Sequence, residues 1–406
     1  GTRLTLTLVE LRLNDHGIDT GGRLIPVTTD SSLTLGDLEI EFVPVTHSIP
    51  DSTAIVVRSP VGTLVHTGDF KFDQCPLTES EASISRLKEI GRDGVLAAYS
   101  DSTNASNRGQ TGTELDVRRS LEHLCESAPA RVFVTTFASS IHRIQLLIDV
   151  AHKTGRNVGF LGRGIERNVN IAEHLGYIRI PPGTRQPLAT LRDRQAKNVL
   201  CILSGSQGEP LAALARVAAN EHKTIAIEPD DTVIFSARTI PGNELATNQL
   251  KDNLARLGAR IFDNDLELVH VSGHGSQDDL VKMMSLLNPK YLVPIHGNFR
   301  ELKQHAALAE INGVIPLLAN NGDRVCFDKS KAWLGNPISV RDSYLDNDLS
   351  IVVKEHVITE RRRMAKNGVL VVVCRIDPNT RRIEEPPKLI TRGTSTDNSN
   401  SDHGDD

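Results

Sequence analysis

Three residues of metal-binding type each follow an apolar, strand-like run: His47 after EIEFVPVT, Asp69 in HTGDF after GTLVHT, and His296 after KYLVPI. A strand is rigid and the loop behind it leaves a ligand open, so side chains that must hold an ion are often placed at such exits. Singly, each position has a plain alternative, because a strand-end His is commonly a surface residue and Gly-Asp is commonly a turn. Together they favour metal ligation by His47, Asp69 and His296, with the two oxygens of Asp69 suited to bridging a pair of cations.

A second group lies in HVSGHGSQDDL, where His270, Ser272 and His274 are spaced by two, so that an extended backbone turns all three to one face. Near a metal, His274 can act as general acid for a departing oxyanion, because an imidazole titrates close to working pH. His270 and Ser272 could hold a phosphate. The same segment also reads as a helix start, with Ser276 as N-cap and Asp279 three residues on; both readings can hold. Asp101, at the exit of GVLAAYSD, could orient a catalytic His, or it could serve the turn chemistry of SDSTNA.

Two loops look like anion cradles at strand-to-helix passages: SGSQGEP, with Ser204 and Ser206, and SARTIPGNE, with Ser236. Neither carries the GK[ST] of a P-loop. FASSIHRIQ adds Ser139, Ser140, His142 and Arg143 as polar candidates near a strand exit, the alternative being a helix start with an exposed Arg. The remaining histidines, His305 among them, read as structural or solvated.

These residues sit in a chain of 406 residues, 39% hydrophobic and 24% charged, which fits two or three globular domains. Its longest apolar runs, such as GVLVVVC, fall far short of the roughly 20 residues a membrane span needs. The net charge of −5 excludes nucleic-acid binding by bulk basicity, so any such contact must be local. Five scattered cysteines, Cys75, Cys125, Cys201, Cys326 and Cys374, without a CxxC pair suggest neither a disulfide framework nor a thiolate zinc site, and point to the reducing cytoplasm.

Short strands dominate the first hundred residues: RLIPVTT, LEIEFVPVTH, AIVVRSP, GTLVHTGD and GVLAAYSD. From about residue 113 helices and strands alternate, including NVLCIL and EPLAALARVAAN, as in a parallel α/β domain. The β-rich style returns near residues 260 to 345 in KYLVPI, VIPLLA and DRVCFD. This order predicts an α/β domain inserted into a sandwich, although two domains in series fit as well. A further unit from about residue 350 predicts a helix and a buried strand, GVLVVVC, ahead of a disordered polar tail over 389–406.

In order along the chain, THSIPDS, TGDFKFD, SDSTNA, FASSIHR, SGSQGEP, IPGNE, HVSGHGSQ and PIHGN resemble the ribonuclease J family of the β-CASP branch of metallo-β-lactamase-fold nucleases. The resemblance implies an α/β architecture: an αββα metallo-β-lactamase sandwich over 1–107 and 276–345, a β-CASP domain over 108–275 inserted in it, and the start of a C-terminal domain over 350–388. It implies a zinc-dependent ribonuclease with 5′-to-3′ exonuclease and endonuclease activity, holding two Zn2+ ions in the complete enzyme and acting on single-stranded RNA. It also implies assembly as a homodimer, a homotetramer or a complex with a paralogue. His47, Asp69 and His296 correspond to metal ligands with Asp69 bridging, His274 to the general acid, Asp101 to its carboxylate partner, and His270 with Ser272 to the phosphate clamp. A His at the position of His296 accompanies RNA processing in the wider group, where DNA-acting relatives carry Val. The chain departs from the family in lacking the HxHxDH motif, and in having Gly164 where Ser is expected. The expectation is of a protein cut ahead of its first metal motif, and inactive as it stands. The alternative is a non-catalytic RNA-binding protein that keeps the phosphate-contacting loops.

Overall fold

The computed structural model describes residues 1–73, 81–187, 198–223, 225–341, 343–346 and 351–394. Cys75 and residues 395–406 of the expected tail lie outside them; the other four cysteines are free thiols. The chain divides into two compact units, Gly1–Ile338 and Ser339–Asp406.

In the first unit the early strands β1 (Ser32–Leu35), β2 (Leu38–Pro44), β3 (Thr53–Arg58) and β4 (Thr63–His66) form an antiparallel meander, and β5 (Val95–Asp101) joins β4 in parallel. The chain then leaves this sheet. Strands β6 (Val132–Thr135), β7 (Asn157–Leu161), β8 (Val199–Leu203), β9 (Thr232–Phe235) and β10 (Arg260–Phe262) build a separate, wholly parallel sheet in the order β10-β9-β6-β8-β7. With β11 (Pro289–Ile295) and β12 (Ile315–Pro316) the chain returns, completing a seven-stranded sheet β1-β2-β3-β4-β5-β11-β12. The insertion therefore holds, and the domains do not run in series.

The reason the inserted sheet is parallel is visible in its composition. VFVT, VLCIL and TVIF are buried at every residue, as strands covered on both faces must be. Alternate side chains go to opposite layers: Val132 and Val134 pack with Val117, Leu121 and Ile144, whereas Phe133 packs with Leu214, Val217 and Leu250. The seven-stranded sheet packs through Val43, Val56, Val65 and Leu292 against Leu87, Ile90, Leu280 and Met283, from helices Glu81–Asp93 and Gln277–Leu287. Those two helices touch backbone to backbone at Gly91, where a Cβ would stand 2.0 Å from the Leu286 carbonyl oxygen.

Several expectations change. RLIPVTT forms no strand: Pro26 has no N–H to give a ladder, the Val27 amide turns to the Gly1 carbonyl instead, and Ile25 is exposed. EPLAALARVAAN is helical only over Ala213–Ala218, and VIPLLA contributes only the two residues of β12.

The second unit begins at Ser339 rather than near 350, because β15 (Tyr344–Leu345) pairs with β16 (Val352–Val353) after the first unit's last hairpin, β13 (Arg324–Phe327) with β14 (Ala332–Gly335). Helix Glu355–Asn367 forms as expected. The strand β17 (Val369–Val373) is exposed at all five residues, not buried. It pairs with β18 (Lys388–Arg392), which occupies residues expected in a disordered tail. Apolar composition implied burial; a two-stranded ribbon with no layer over it among the described residues leaves those side chains uncovered. Among the described residues no helix is long and apolar enough to cross a membrane.

Candidate functional site

Strands β2 and β4 both run antiparallel to β3, and β5 and β11 run parallel to β4, so these four strands end at the same edge of the sheet. His47 follows β2, Asp69 follows β4, Asp101 ends β5, and His296 follows β11. Four positions spread over 250 residues of chain are thus brought to one rim, the usual placement for a site in an open sheet. His296 sits at a φ of 53°, a left-handed conformation that turns its ring off the strand axis, and Gly68 makes the corresponding turn before Asp69 at 62°. The segment from Val269 to His274 comes back from the inserted sheet and crosses this rim. It passes so close to His47 that a Cβ on Gly273 would lie 2.8 Å from the imidazole.

The ring of His274 donates through Nδ1 to Asp101 Oδ2 at 2.7 Å. Asp101 is 1% exposed, and its other oxygen accepts from the Thr103 amide at 3.0 Å and hydroxyl at 2.8 Å. Burial by itself would raise this carboxyl's pKa, but the hydrogen bonds from His274, His296 and Thr103 outweigh it and hold Asp101 far below the usual carboxylate range. An ionised Asp101 fixes a proton of His274 on Nδ1, and His274 lines a cavity shared with His270 and Ser272. His296 Nδ1 lies 3.2 Å from Asp101 Oδ1, 3.3 Å from Asp69 Oδ1 and 2.9 Å from Thr103 Oγ1. The Asp101 hydrogen bond, against a smaller opposing effect of burial, raises the pKa of His296. His47 Nδ1 meets the Gly273 carbonyl at 2.8 Å and its Nε2 stands 3.8 Å from Asp69 Oδ2; burial, with the neighbouring His274, lowers its pKa.

Asp69, Asp101, His274 and His296 each offer a donor atom, and these atoms all lie within 4.8 Å of one another. Imidazole nitrogen and carboxylate oxygen are zinc-type donors, and donors to one ion at about 2.0–2.2 Å stand no more than about 4.4 Å apart, so the group has the chemistry for a cation and would have to draw in to close a coordination sphere. The expected trio differs slightly: Asp69 and His296 are in the group, and His47 stands at its margin.

His270 and Ser272 line a cavity of 430 Å3 together with His47, His274, Ser140 and Arg238. Ser272 Oγ accepts from Asn104 Nδ2 at 2.8 Å and from the His274 amide at 3.0 Å. Burial, then the positive charges of Arg143, Lys71 and Arg238, push His270 down to about 3, so its ring is neutral at physiological pH.

Other candidates fall elsewhere. Ser236 is fully buried, its hydroxyl accepting from Arg143 at 2.6 Å and donating to the Val269 carbonyl at 2.7 Å, so it braces the crossing segment and has no reach to a ligand. Ser206 is buried beside Gln207, and neither it nor Ser139 nor Ser204 lines the cavity. His142 faces a different cavity of 570 Å3, with Asp51 and Tyr177. Arg143 is 2% exposed, contrary to the exposed alternative. The capping box of Ser276 and Asp279 is present as well, so both readings of HVSGHGSQDDL hold. Sequence reasoning missed Thr103, Asn104 and Arg238; the polar run SDSTNA was the only local signal for the first two.

The sequence matches the family models for the ribonuclease J β-CASP domain over residues 129–254, the Zn-dependent metallo-hydrolase RNA specificity domain over 265–318, and the ribonuclease J C-terminal domain over 356–403. Ribonuclease J 1 of Streptococcus pyogenes serotype M3 is 35% identical over 96% of this chain and 70% of its own length. Ribonuclease J2 of Bacillus subtilis is 36% identical over 97% of this chain and 71% of its own. Ribonuclease J of Corynebacterium glutamicum is 34% identical over 98% of this chain, which spans 55% of that relative. A crystal structure of a protein of unknown function from Enterococcus faecalis V583 shares the fold, with a TM-score of 0.55 at 16% identity over 77% of this chain and 67% of that one.

Proposed function

The chain belongs to the ribonuclease J family of metal-dependent nucleases, and from that premise we propose that its site serves zinc-dependent hydrolysis of single-stranded RNA, by 5′-to-3′ exonucleolytic and endonucleolytic cleavage, in the cytoplasm. The observation that carries the reading is the 2.7 Å pair of His274 and Asp101 set beside Asp69 and His296 at one sheet rim. His47, Asp69 and His296 would hold zinc, with Asp69 bridging where two ions bind. Bound zinc supplies an activated water and offsets the charge that develops on the phosphoryl oxygens.

The protein's own part is then to place a phosphate and to move a proton. His270, neutral, and Ser272, held by Asn104, would seat a phosphate beside the scissile bond. The bond from phosphorus to the 3′ oxygen breaks as the oxygen of a water that has already given up one proton to solvent bonds to phosphorus. The departing oxygen takes a proton from His274 Nε2, the ring being oriented by its Nδ1 bond to Asp101. Oligomeric assembly, as a homodimer, homotetramer or paralogue complex, belongs to the same reading.

Two zinc ions need about six to eight protein ligands, more than His47, Asp69 and His296 provide. We therefore expect the 406-residue chain by itself to bind fewer than two equivalents of zinc and to cleave RNA negligibly. Placing a segment that bears HxHxDH ahead of residue 1 should raise both. Elemental analysis alongside cleavage of a 5′-monophosphorylated RNA tests this, and full dinuclear occupancy with strong cleavage by the 406 residues would contradict it. With a complete ligand set, His274→Ala should remove cleavage while leaving RNA binding in place; retained cleavage would end the general-acid assignment.

A further inference from the structure

We infer that Arg238 binds a backbone phosphate of the RNA strand, at a wall shared by two cavities; this rests on the reading of the site as one for RNA. Arg238, Thr239, His270 and Ser272 line both the 430 Å3 cavity that reaches His274 and a neighbouring one of 390 Å3. A strand whose scissile phosphate lies at His274 and that continues into the second cavity must pass this wall.

Charge singles out Arg238 among the cations here. Arg143 forms a bidentate pair with Glu114, and Lys71 lies 3.2 Å from Asp73, so both are neutralised by acids. Among the described residues the Arg238 guanidinium has no carboxylate partner, and the one hydrogen bond it makes runs from Nη1 to Asn104 Oδ1 at 2.9 Å. That bond aims the guanidinium and leaves its other N–H groups for a ligand. Asn104 in turn donates to Ser272 Oγ at 2.8 Å and to the His274 carbonyl at 2.9 Å, so the Arg238 head group is keyed to the same segment that carries the general acid. A guanidinium with two parallel N–H groups matches two phosphate oxygens. The other cation of the second cavity, Lys251, is paired with Asp263 at 2.5 Å, and Asp265 beside that pair disfavours a phosphate there, which leaves the Arg238 wall.

The test is fluorescence anisotropy of a labelled, 5′-monophosphorylated single-stranded oligoribonucleotide titrated with the 406-residue chain over a salt series, for the parent, Arg238→Gln, Arg238→Lys and Arg12→Gln. Arg238 and Arg12 are exposed, so neither change disturbs a core. Losing one charge-assisted contact should weaken binding about 10-fold. It should also flatten the plot of log K against log salt by about 0.7, the amount for one phosphate contact on a single strand. Arg238→Lys should keep the slope and recover part of the affinity, and Arg12→Gln should match the parent. Parent-like binding by Arg238→Gln, or equal weakening by Arg12→Gln, would overturn the inference while the RNA reading stands. A parent chain that binds no RNA would overturn both.

Discussion

Replacing Arg143 by Met should cost about 3 kcal/mol, and the figure follows from what is left behind. The guanidinium, 2% exposed, donates to Glu114 through Nε at 3.1 Å and Nη2 at 2.9 and 2.8 Å, and through Nη1 to Ser236 Oγ at 2.6 Å and the Val269 carbonyl at 2.9 Å. Met keeps the apolar stem's packing and removes all five bonds. The Val269 carbonyl is not orphaned, because Ser236 still donates to it at 2.7 Å. Glu114 bears the loss. Breaking a buried pair by removing one partner costs about 3–5 kcal/mol through the stranded charge. Here the Glu114 side chain is 17% exposed and Lys71 Nζ remains 3.7 Å from its Oε1, which places the value at the low end. Glu114→Gln in the Arg143→Met background removes the stranded charge and should recover at least half. The assay is a double-mutant cycle by urea unfolding followed by circular dichroism. A cost below about 1 kcal/mol for Arg143→Met, or no coupling in the cycle, would refute the claim that this pair holds the crossing segment.

Three further outcomes are expected. Gly91→Ala forces a Cβ to within 2.0 Å of the Leu286 carbonyl oxygen and should destabilise the first unit by about 1–3 kcal/mol through overpacking, whereas Gly164→Ala, with nothing nearer than 3.8 Å, should be neutral or slightly stabilising by urea unfolding. Glu41 is held below its ordinary pKa by hydrogen bonds from Arg86 and then Arg58, against the opposing effect of burial. A depressed carboxylate stabilises the fold above its unfolded pKa of about 4.3 and loses that contribution as pH falls through the lower folded value. Glu41→Gln should therefore be less stable than the parent at neutral pH, and the gap should close as the pH of the unfolding series is taken below that of free Glu; a gap that stays constant with pH would refute the ion-pair account.

Much of the site was legible because strand exits leave a local mark. His47, Asp69, Asp101 and His296 each follow an apolar run and precede small or turn-forming residues, and period-two spacing put His270, Ser272 and His274 on one face. The insertion of one domain in another was legible too, as the change from short strands to alternating helix and strand and back. Burial was less so: the five apolar residues of Val369–Val373 have a core strand's composition and lie exposed, since a strand is buried only if something covers it.

Sheet order was the tertiary decision that mattered most. That β4, β5 and β11 are neighbours with a common direction is set by crossovers tens to nearly two hundred residues long, and only that order brings His274 to Asp101 across 173 positions and His47 to Gly273 across 226. The same crossing buries Arg143, expected at the surface as an alternative, and uses up Ser236, expected in an anion cradle. A residue's type and its near neighbours determine what chemistry it can perform; which acid, carbonyl or phosphate it meets depends on long-range packing, which no local spacing encodes.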